Sequence, residues 1–215
     1  MIAARVLSVV IGYAFGLFQT GYIYGKSKGI DIRSQGSGNP GTTNSLRVLG
    51  IKAGIITFLG DLLKAIFAVV VAWLIFKNRY PDSVRLLELY AGFGAVLGHN
   101  FPFYLGFKGG KGIASTAGVI LSVYPLAAIG CLIVFSVCLA ISRYVSLSSI
   151  LMVLTFMITA LVANNLGYLD IAGERMMEFD ILVICFTALA IWRHRANIVR
   201  LIHGNENKLS IGKSK

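Results

Sequence analysis

The stretch Ile113-Ala-Ser-Thr-Ala-Gly-Val-Ile-Leu-Ser-Val-Tyr124-Pro125-Leu-Ala-Ala-Ile-Gly-Cys131-Leu-Ile-Val-Phe-Ser-Val-Cys138-Leu-Ala-Ile141 decides how this chain is folded. It is apolar almost throughout, yet too long for one straight crossing of a membrane, which takes about 20 such residues. The dipeptide Tyr124-Pro125 divides it. Proline lacks a backbone donor and biases its predecessor away from helix. The pattern therefore predicts a short helix over 113–124 and a second from about 126 to 141. The first would rise only about 18 Å, short of a hydrocarbon core about 30 Å thick. Neighbouring helices must shelter it, or it must reach an aqueous cavity.

Outward from this stretch, further apolar runs cover roughly 4–24, 51–76, 86–104, 147–167 and 179–192, the last with Trp192 as interfacial anchor. The first run is too long for the apolar region of a signal peptide and lacks a clear small-x-small cleavage site, so it reads as a transmembrane helix. Composition agrees: 56% of residues are apolar, 13% are charged and the mean hydropathy is +0.77. Soluble domains carry about a quarter charged residues. The expected fold is all-α, a polytopic membrane protein of about seven transmembrane helices with its motif loops on the cytoplasmic face. One domain fills 1–215, ending in a cytoplasmic tail over 193–215. No internal repeat is visible, and 77–85 and 168–178 read as ordinary connections.

Charge decides the count of spans. Lys and Arg total 20 against 9 acids, a net charge of +11. On a soluble protein this would suggest nucleic acid. Here the charges fall between apolar runs, so topology, anionic head groups and anionic substrates explain them, and no nucleic-acid partner is expected. With seven spans and the 25–52 loop inside, 14 basic residues lie inside, from Lys26 to Lys213 and Lys215. Only Arg5, Lys77, Arg79, Arg85 and Arg175 lie outside, and Lys64 falls within a span. Six spans would send the basic tail outside and spoil the positive-inside bias. The N-terminus is then outside and the C-terminus cytoplasmic.

Three polar segments sit at that inner boundary. The first runs from Gln35 to Arg47. Its glycines permit tight turns that present N–H groups to a ligand, Ser37, Asn39, Thr43 and Asn44 add hydrogen-bonding side chains, and Arg47 adds a fork suited to phosphate. The same residues would also serve as a solvated turn capping the next helix. The second runs from Gly98 to Ser115, with Lys108, Gly109, Gly110, Lys111 and Gly112 feeding straight into the apolar helix. A glycine loop at a helix start is a phosphate cradle, although the spacing departs from GxxxxGK[ST] and no nucleoside triphosphate is implied. His99 reads as a hydrogen-bonded structural residue. The third runs from Arg193 to Lys208; His194 and Asn197 share one helix face, Arg200 follows, and Gly204 suits a helix end. Alone, it would read as a basic amphipathic helix lying on anionic lipid.

Within the second span, Asp61 and Lys64 stand three residues apart, either a functional pair or one that ties helices together. Cys131, Cys138 and Cys185 lie in apolar segments without metal-ligand spacing and read as small hydrophobes.

The stretches GSGNPGTTNSLRVLG (36–50), GHNFPFYLGFKGGKGIAST (98–116) and HRANIVRLIHGNENK (194–208) closely resemble the bacterial acyl-phosphate:glycerol-3-phosphate acyltransferases of the inner membrane, in order and spacing. Asp61-Leu-Leu-Lys64 also looks like a family feature, and Thr42, where alanine is expected in many relatives, is a mild departure. With the span pattern, the likeness covers nearly the whole chain. It implies an enzyme of phospholipid synthesis in the bacterial inner membrane that moves a fatty acyl group from acyl phosphate to the sn-1 hydroxyl of glycerol 3-phosphate. The products are lysophosphatidic acid and phosphate. It implies no cofactor, and as partners the two substrates, membrane lipids and the soluble enzyme that makes acyl phosphate.

The residues fit that chemistry. An acyl phosphate is already activated, so the protein must position two anions, stabilise an oxyanion and move one proton. The expected catalytic set is Ser37, Arg47, Lys111, His194 and Asn197. Asn39, Thr43, Asn44, Lys108, Gly109, Gly110, Gly112 and Arg200 are expected to bind substrate, and Glu206 to organise the tail. His194 is one candidate base and the donor's own phosphate oxygen the other, with the resemblance leaning to the second. Ser37 is a conceivable nucleophile and a better hydrogen-bond donor. The HxxxxD pattern of other acyltransferases is absent, since Tyr104 and Val199 stand where the aspartate would. Two rivals remain. A small-anion transporter would accommodate the short helix and the Asp61/Lys64 pair, and a lipid-docking scaffold would explain the charge alone.

Overall fold

The computed structural model describes residues 1–209, so the tail lysines Lys213 and Lys215 lie outside the described residues. Among these the fold is all-helical: α1 (Ile2–Gly16), α2 (Thr20–Ser27), α3 (Thr42–Leu49), α4 (Ile51–Phe76), α5 (Val84–Asn100), α6 (Ile113–Val123), α7 (Pro125–Ser142), α8 (Val145–Asn165), α9 (Gly173–Arg193) and α10 (Arg195–Ile202). Four stretches are long and apolar enough to cross a membrane unaided: Ile2–Ser27 taken across its break, Ile51–Phe76, Pro125–Ser142 and Val145–Asn165. The helices α5 and α6 are shorter, and α9 carries Glu174, Arg175, Glu178 and Asp180 on its first turns.

The division at Tyr124-Pro125 falls as the sequence predicts. The carbonyl of Val123 that it frees accepts from Nη1 of Arg85 at 2.6 Å. The helix α6 is sheltered by α4 and α5: Ser115 Oγ donates to the carbonyl of Asp61 at 3.0 Å, and Val119, Ile120 and Val123 enter the core beside Leu86, Leu89, Phe156, Phe179 and Phe186. By contrast α7 turns Leu126, Ile129, Leu132, Ile133, Val137 and Ile141 outward, as a face solvated by lipid requires.

The first apolar run corrects the sequence reading. Instead of one helix over 4–24, it breaks at Leu17–Gln19. The side-chain amide of Gln19 donates to the carbonyls of Gly16 and His99, both at 3.1 Å, and Lys64 Nζ donates to the carbonyl of Phe18 at 2.6 Å. Backbone groups freed in an apolar setting need such partners. Two further corrections are smaller: the third run ends at Asn100, and the last begins at Gly173, inside the stretch expected to be loop.

Small residues set the closest helix pair. A side chain on Gly12 would overlap the backbone of Ala91, and one on Gly94 the carbonyl of Val9, so α1 and α5 touch main chain to main chain, as small-residue helix contacts in membranes do. At the end of the bundle away from α10, Arg5 and Tyr90 both donate to Glu178, binding α1, α5 and α9 together.

Candidate active site

In the first segment, Asn44 holds the loop onto α3. Its amide donates to the carbonyls of Ile32 and Gln35 at 3.2 and 3.0 Å, and its Oδ1 accepts from the N–H of Ser37 at 2.9 Å. Asn39 Oδ1 accepts from the N–H of Gly41 at 3.0 Å, an Asx turn that leaves the Asn39 amide hydrogens without a partner among the described residues. Thr43 and Arg47 lie four apart on one face of α3. Arg47 is exposed and has no ion-pair partner among the described residues.

The second segment is a strap laid across two helix ends. The N–H groups of Gly109 and Gly110 donate to the carbonyls of Asn100 and His99 at 3.2 and 3.1 Å. Their carbonyls accept from Nη2 of Arg193 at 2.9 and 2.6 Å. Gly109 and Gly110 therefore hold the strap in place, their main chain fully engaged. Gly112 caps α6 at φ +80°, a conformation that glycine adopts without strain. Lys111 reaches across to α10 and donates to Oδ1 of Asn197 at 2.6 Å. Burial pushes its pKa down to about 8, against the pull of Glu206. Lys108 turns away into a neighbouring cleft of about 480 Å³, which also holds Asp31, Arg33 and Gly109 and shares Arg193.

In the third segment the ring of His194 is held by the carbonyl of Ala190, 2.8 Å from Nδ1. A carbonyl only accepts, so Nδ1 carries the proton and Nε2 keeps its lone pair. Burial, then Lys111, lowers the pKa of His194 to about 4, so the ring is neutral at physiological pH. Glu206 is the hub of the tail. Its carboxylate accepts from Asn197 Nδ2 at 2.7 Å, Ser146 Oγ at 3.1 Å and Arg200 Nε at 2.7 Å. These partners hold its own pKa below the usual carboxylate range against the opposing effect of burial.

All three segments border one cavity of about 680 Å³. Its polar end carries Ser37, Asn39, Thr43, Asn44, Arg47, Lys111, Gly112, His194, Asn197, Arg200 and Glu206. The N-terminal residues of α3, α6 and α10 all line it, where unpaired N–H groups and the helix dipole favour anions. Four cations, Arg47, Lys111, Arg193 and Arg200, meet a single carboxylate, Glu206. The other end runs down between α4, α6, α7 and α8 along Phe58, Leu62, Ala117, Leu121, Leu132 and Phe135. One space thus joins an anion site to an apolar slot.

Comparison with known proteins bears directly on that shape. The sequence profile described as glycerol-3-phosphate acyltransferase matches residues 6–204. This chain belongs to that family. A glycerol-3-phosphate acyltransferase of Halalkalibacterium halodurans is 42% identical over 205 residues, 94% of each chain. One from Clostridioides difficile is 41% identical over 210 residues, 97% of each. The crystal structure of an integral membrane glycerol 3-phosphate acyltransferase in its glycerol 3-phosphate form superposes with a TM-score of 0.82 at 35% identity, covering 96% of both chains. Its lysophosphatidic acid form gives 0.80 at the same identity, covering 95% of this chain and 94% of that one. With the four apolar spans, this membership makes the chain a multi-pass membrane protein.

Within this family member, the sequence-expected residues other than Lys108, Gly109 and Gly110 border the cavity. Three further lining residues, His99, Ser146 and Arg193, escaped the site list drawn from sequence. Arg193 carried a signal, lying next to His194 on a helix end. Ser146 carried none, because only the packing of α8 against α10 brings it there.

Proposed function

We propose that this chain transfers a fatty acyl group from acyl phosphate to the sn-1 hydroxyl of glycerol 3-phosphate, giving lysophosphatidic acid and phosphate. The observation that carries the reading is the single cavity that is cationic at one end and apolar at the other. A long-chain acyl phosphate has the same polarity, and glycerol 3-phosphate adds a second anion for the cationic end. Arg47, Lys111 and Arg193 bind phosphoryl oxygens, Arg200 with Asn39 and Thr43 completes the binding wall, and Ser37 donates a hydrogen bond to substrate. Lys108 gathers anions at the adjoining cleft, and Gly112 with the first turn of α6 offers main-chain donors. Asn44 shapes the wall, and Gly109 and Gly110 hold the strap that carries Lys111 in place.

Chemistry follows from the held geometry. The sn-1 oxygen attacks the carbonyl carbon, the bond from that carbon to the phosphate oxygen breaks, and the hydroxyl proton leaves on the released phosphate. Before attack, His194 accepts a hydrogen bond from the hydroxyl through Nε2 and orients it; as the new carbon–oxygen bond forms, that proton passes to the phosphate oxygen instead. A ring whose pKa is about 4 is a weaker base than a phosphate oxygen, which favours substrate-assisted proton transfer over a histidine base. Asn197 ties Lys111 to Glu206 and keeps the cation aimed. The site faces the cytosol in a bacterial inner membrane, with seven spans, the N-terminus outside and the tail inside. A soluble enzyme that makes acyl phosphate is the expected supplier.

The test is direct. Purified protein in detergent, given palmitoyl phosphate and glycerol 3-phosphate, should release phosphate and form lysophosphatidic acid in equal amounts. No product under those conditions sinks the reading. Trapping an acyl group on Ser37 would replace direct transfer with a covalent route.

A further inference from the structure

A buried cluster lies behind the cavity wall, where the broken first run meets α4 and α5. The Lys64 side chain is 4% exposed and that of Asp61 2%. Lys64 Nζ has three acceptors around it: the Phe18 carbonyl at 2.6 Å, Asp61 Oδ1 at 2.8 Å and His99 Nδ1 at 2.8 Å. An ammonium has three protons to donate and no lone pair. The carboxylate of Asp61, which also accepts from Thr20 Oγ1 at 3.2 Å, favours the ammonium form, since a buried carboxylate needs a compensating cation. His99 Nδ1 must then accept, and the neutral ring carries its proton on Nε2.

Of these four side chains, only His99 borders the cavity, on the wall that holds Lys111, Gly112 and Arg193. Its Nε2 edge lies over Gly110, where any side chain would collide with the ring. Nε2 has no hydrogen-bond partner among the described residues, while Nδ1 is engaged. The cluster therefore leaves one oriented neutral N–H beside Gly110, on a residue that itself lines the anion site.

We infer that His99 is a further substrate-binding residue, its Nε2–H donating to an oxygen of a phosphoryl group in the cavity, with Lys64 and Asp61 as positioning residues that fix its tautomer. The inference rests on the acyl-transfer reading of the same cavity. Both substrates carry a phosphoryl group, so kinetics with each varied in turn show which one His99 holds.

The two amide substitutions separate the ring's two edges. His99→Asn keeps an acceptor near the Nδ1 position, facing Lys64, and removes the donor at the Nε2 position. His99→Gln places an amide N–H near Nε2 and gives up the tie to Lys64. Binding through Nε2 predicts that the Asn variant raises KM for one substrate about tenfold with a smaller change in kcat, while the Gln variant stays within about threefold of wild type. A purely structural histidine gives the reverse order, and equal KM values in the two variants also overturn the inference. Should either variant fail to fold, ¹⁵N spectra of histidine-labelled wild-type protein decide. His99 protonated on Nδ1, or an Nε2–H signal unmoved by saturating glycerol 3-phosphate and by a non-reacting acyl phosphonate, overturns it. Wild-type protein that makes no lysophosphatidic acid would remove the acyl-transfer reading itself; active wild type with the reversed order of variants removes only the role of His99.

Discussion

Lys111 shows how one side chain's surroundings set the conditions for work. Burial brings its pKa to about 8, so in the free protein it loses charge as pH rises through that value. A bound phosphate would lose a charge partner at the same time. The kcat/KM for glycerol 3-phosphate should therefore fall on the alkaline side with an apparent pKa near 8, because this ratio reports the free enzyme. Lys111→Arg should abolish that limb, an arginine staying charged throughout. An unchanged limb in the variant would assign the titration to another group. His194, already near 4, should add no acid limb near neutrality, so any limb there should follow the second ionisation of a substrate phosphate, at about 6, and persist in Lys111→Arg. Removing the cations outright is harsher: Arg47→Ala or Lys111→Ala should each lower kcat/KM at least about 100-fold by loss of charge-assisted contacts. The protein should stay inserted in the membrane, as detergent extraction and size exclusion would report. These residues were legible because the chemistry they need is local, a cation set among glycines and hydroxyls. The role of Glu206 as hub was only half legible. Its partners Asn197 and Arg200 are near in sequence, but Ser146 is sixty residues away.

Among elements, the two interruptions contrast. The break before Pro125 follows from covalent chemistry and could be placed from sequence to within a residue or so. The break after Gly16 contains no proline and reads as apolar; it exists because Gln19 and Lys64 supply partners for the opened backbone, a tertiary fact. The short α3 was equally hidden, its residues being ordinary turn formers. Close helix contact yields a sharp test. Gly94→Leu would drive a side chain into the backbone of α1 and should lower the thermal midpoint by more than about 5 °C or prevent folding. Gly130→Leu, on α7 with open space beyond its own helix around a notional side chain among the described residues, should leave both midpoint and yield unchanged. Equal behaviour of the two variants would contradict the packing described for α1 and α5.

At the scale of the whole molecule, the sequence pattern spoke chiefly through charge, and the structure through convergence. Residues from the 37–47, 111–112 and 194–206 segments border one space, which places them at one end of the bundle. Single cysteines at Lys26 and Lys208, in a background lacking Cys131, Cys138 and Cys185, should react with a membrane-impermeant maleimide only from the cytoplasmic side. A cysteine at Lys77 should react only from the opposite side. Labelling of all three from one side would reject the seven-span topology.

The apolar slot has one more consequence. Three of its lining residues, Phe58, Leu121 and Leu132, are themselves 40%, 46% and 65% exposed, as a slot open along its side requires. A sealed tunnel acts as a ruler; an open-sided one lets the tail of a long chain lie in the bilayer. Donors from twelve to eighteen carbons should accordingly differ by no more than about tenfold in kcat/KM, one pocket methylene being worth far more in an enclosed site. Under the proposed reaction with acyl phosphate, the fatty-acid make-up of the product would then mirror the supply of donor, and selection for chain length would fall to whatever reaction makes it.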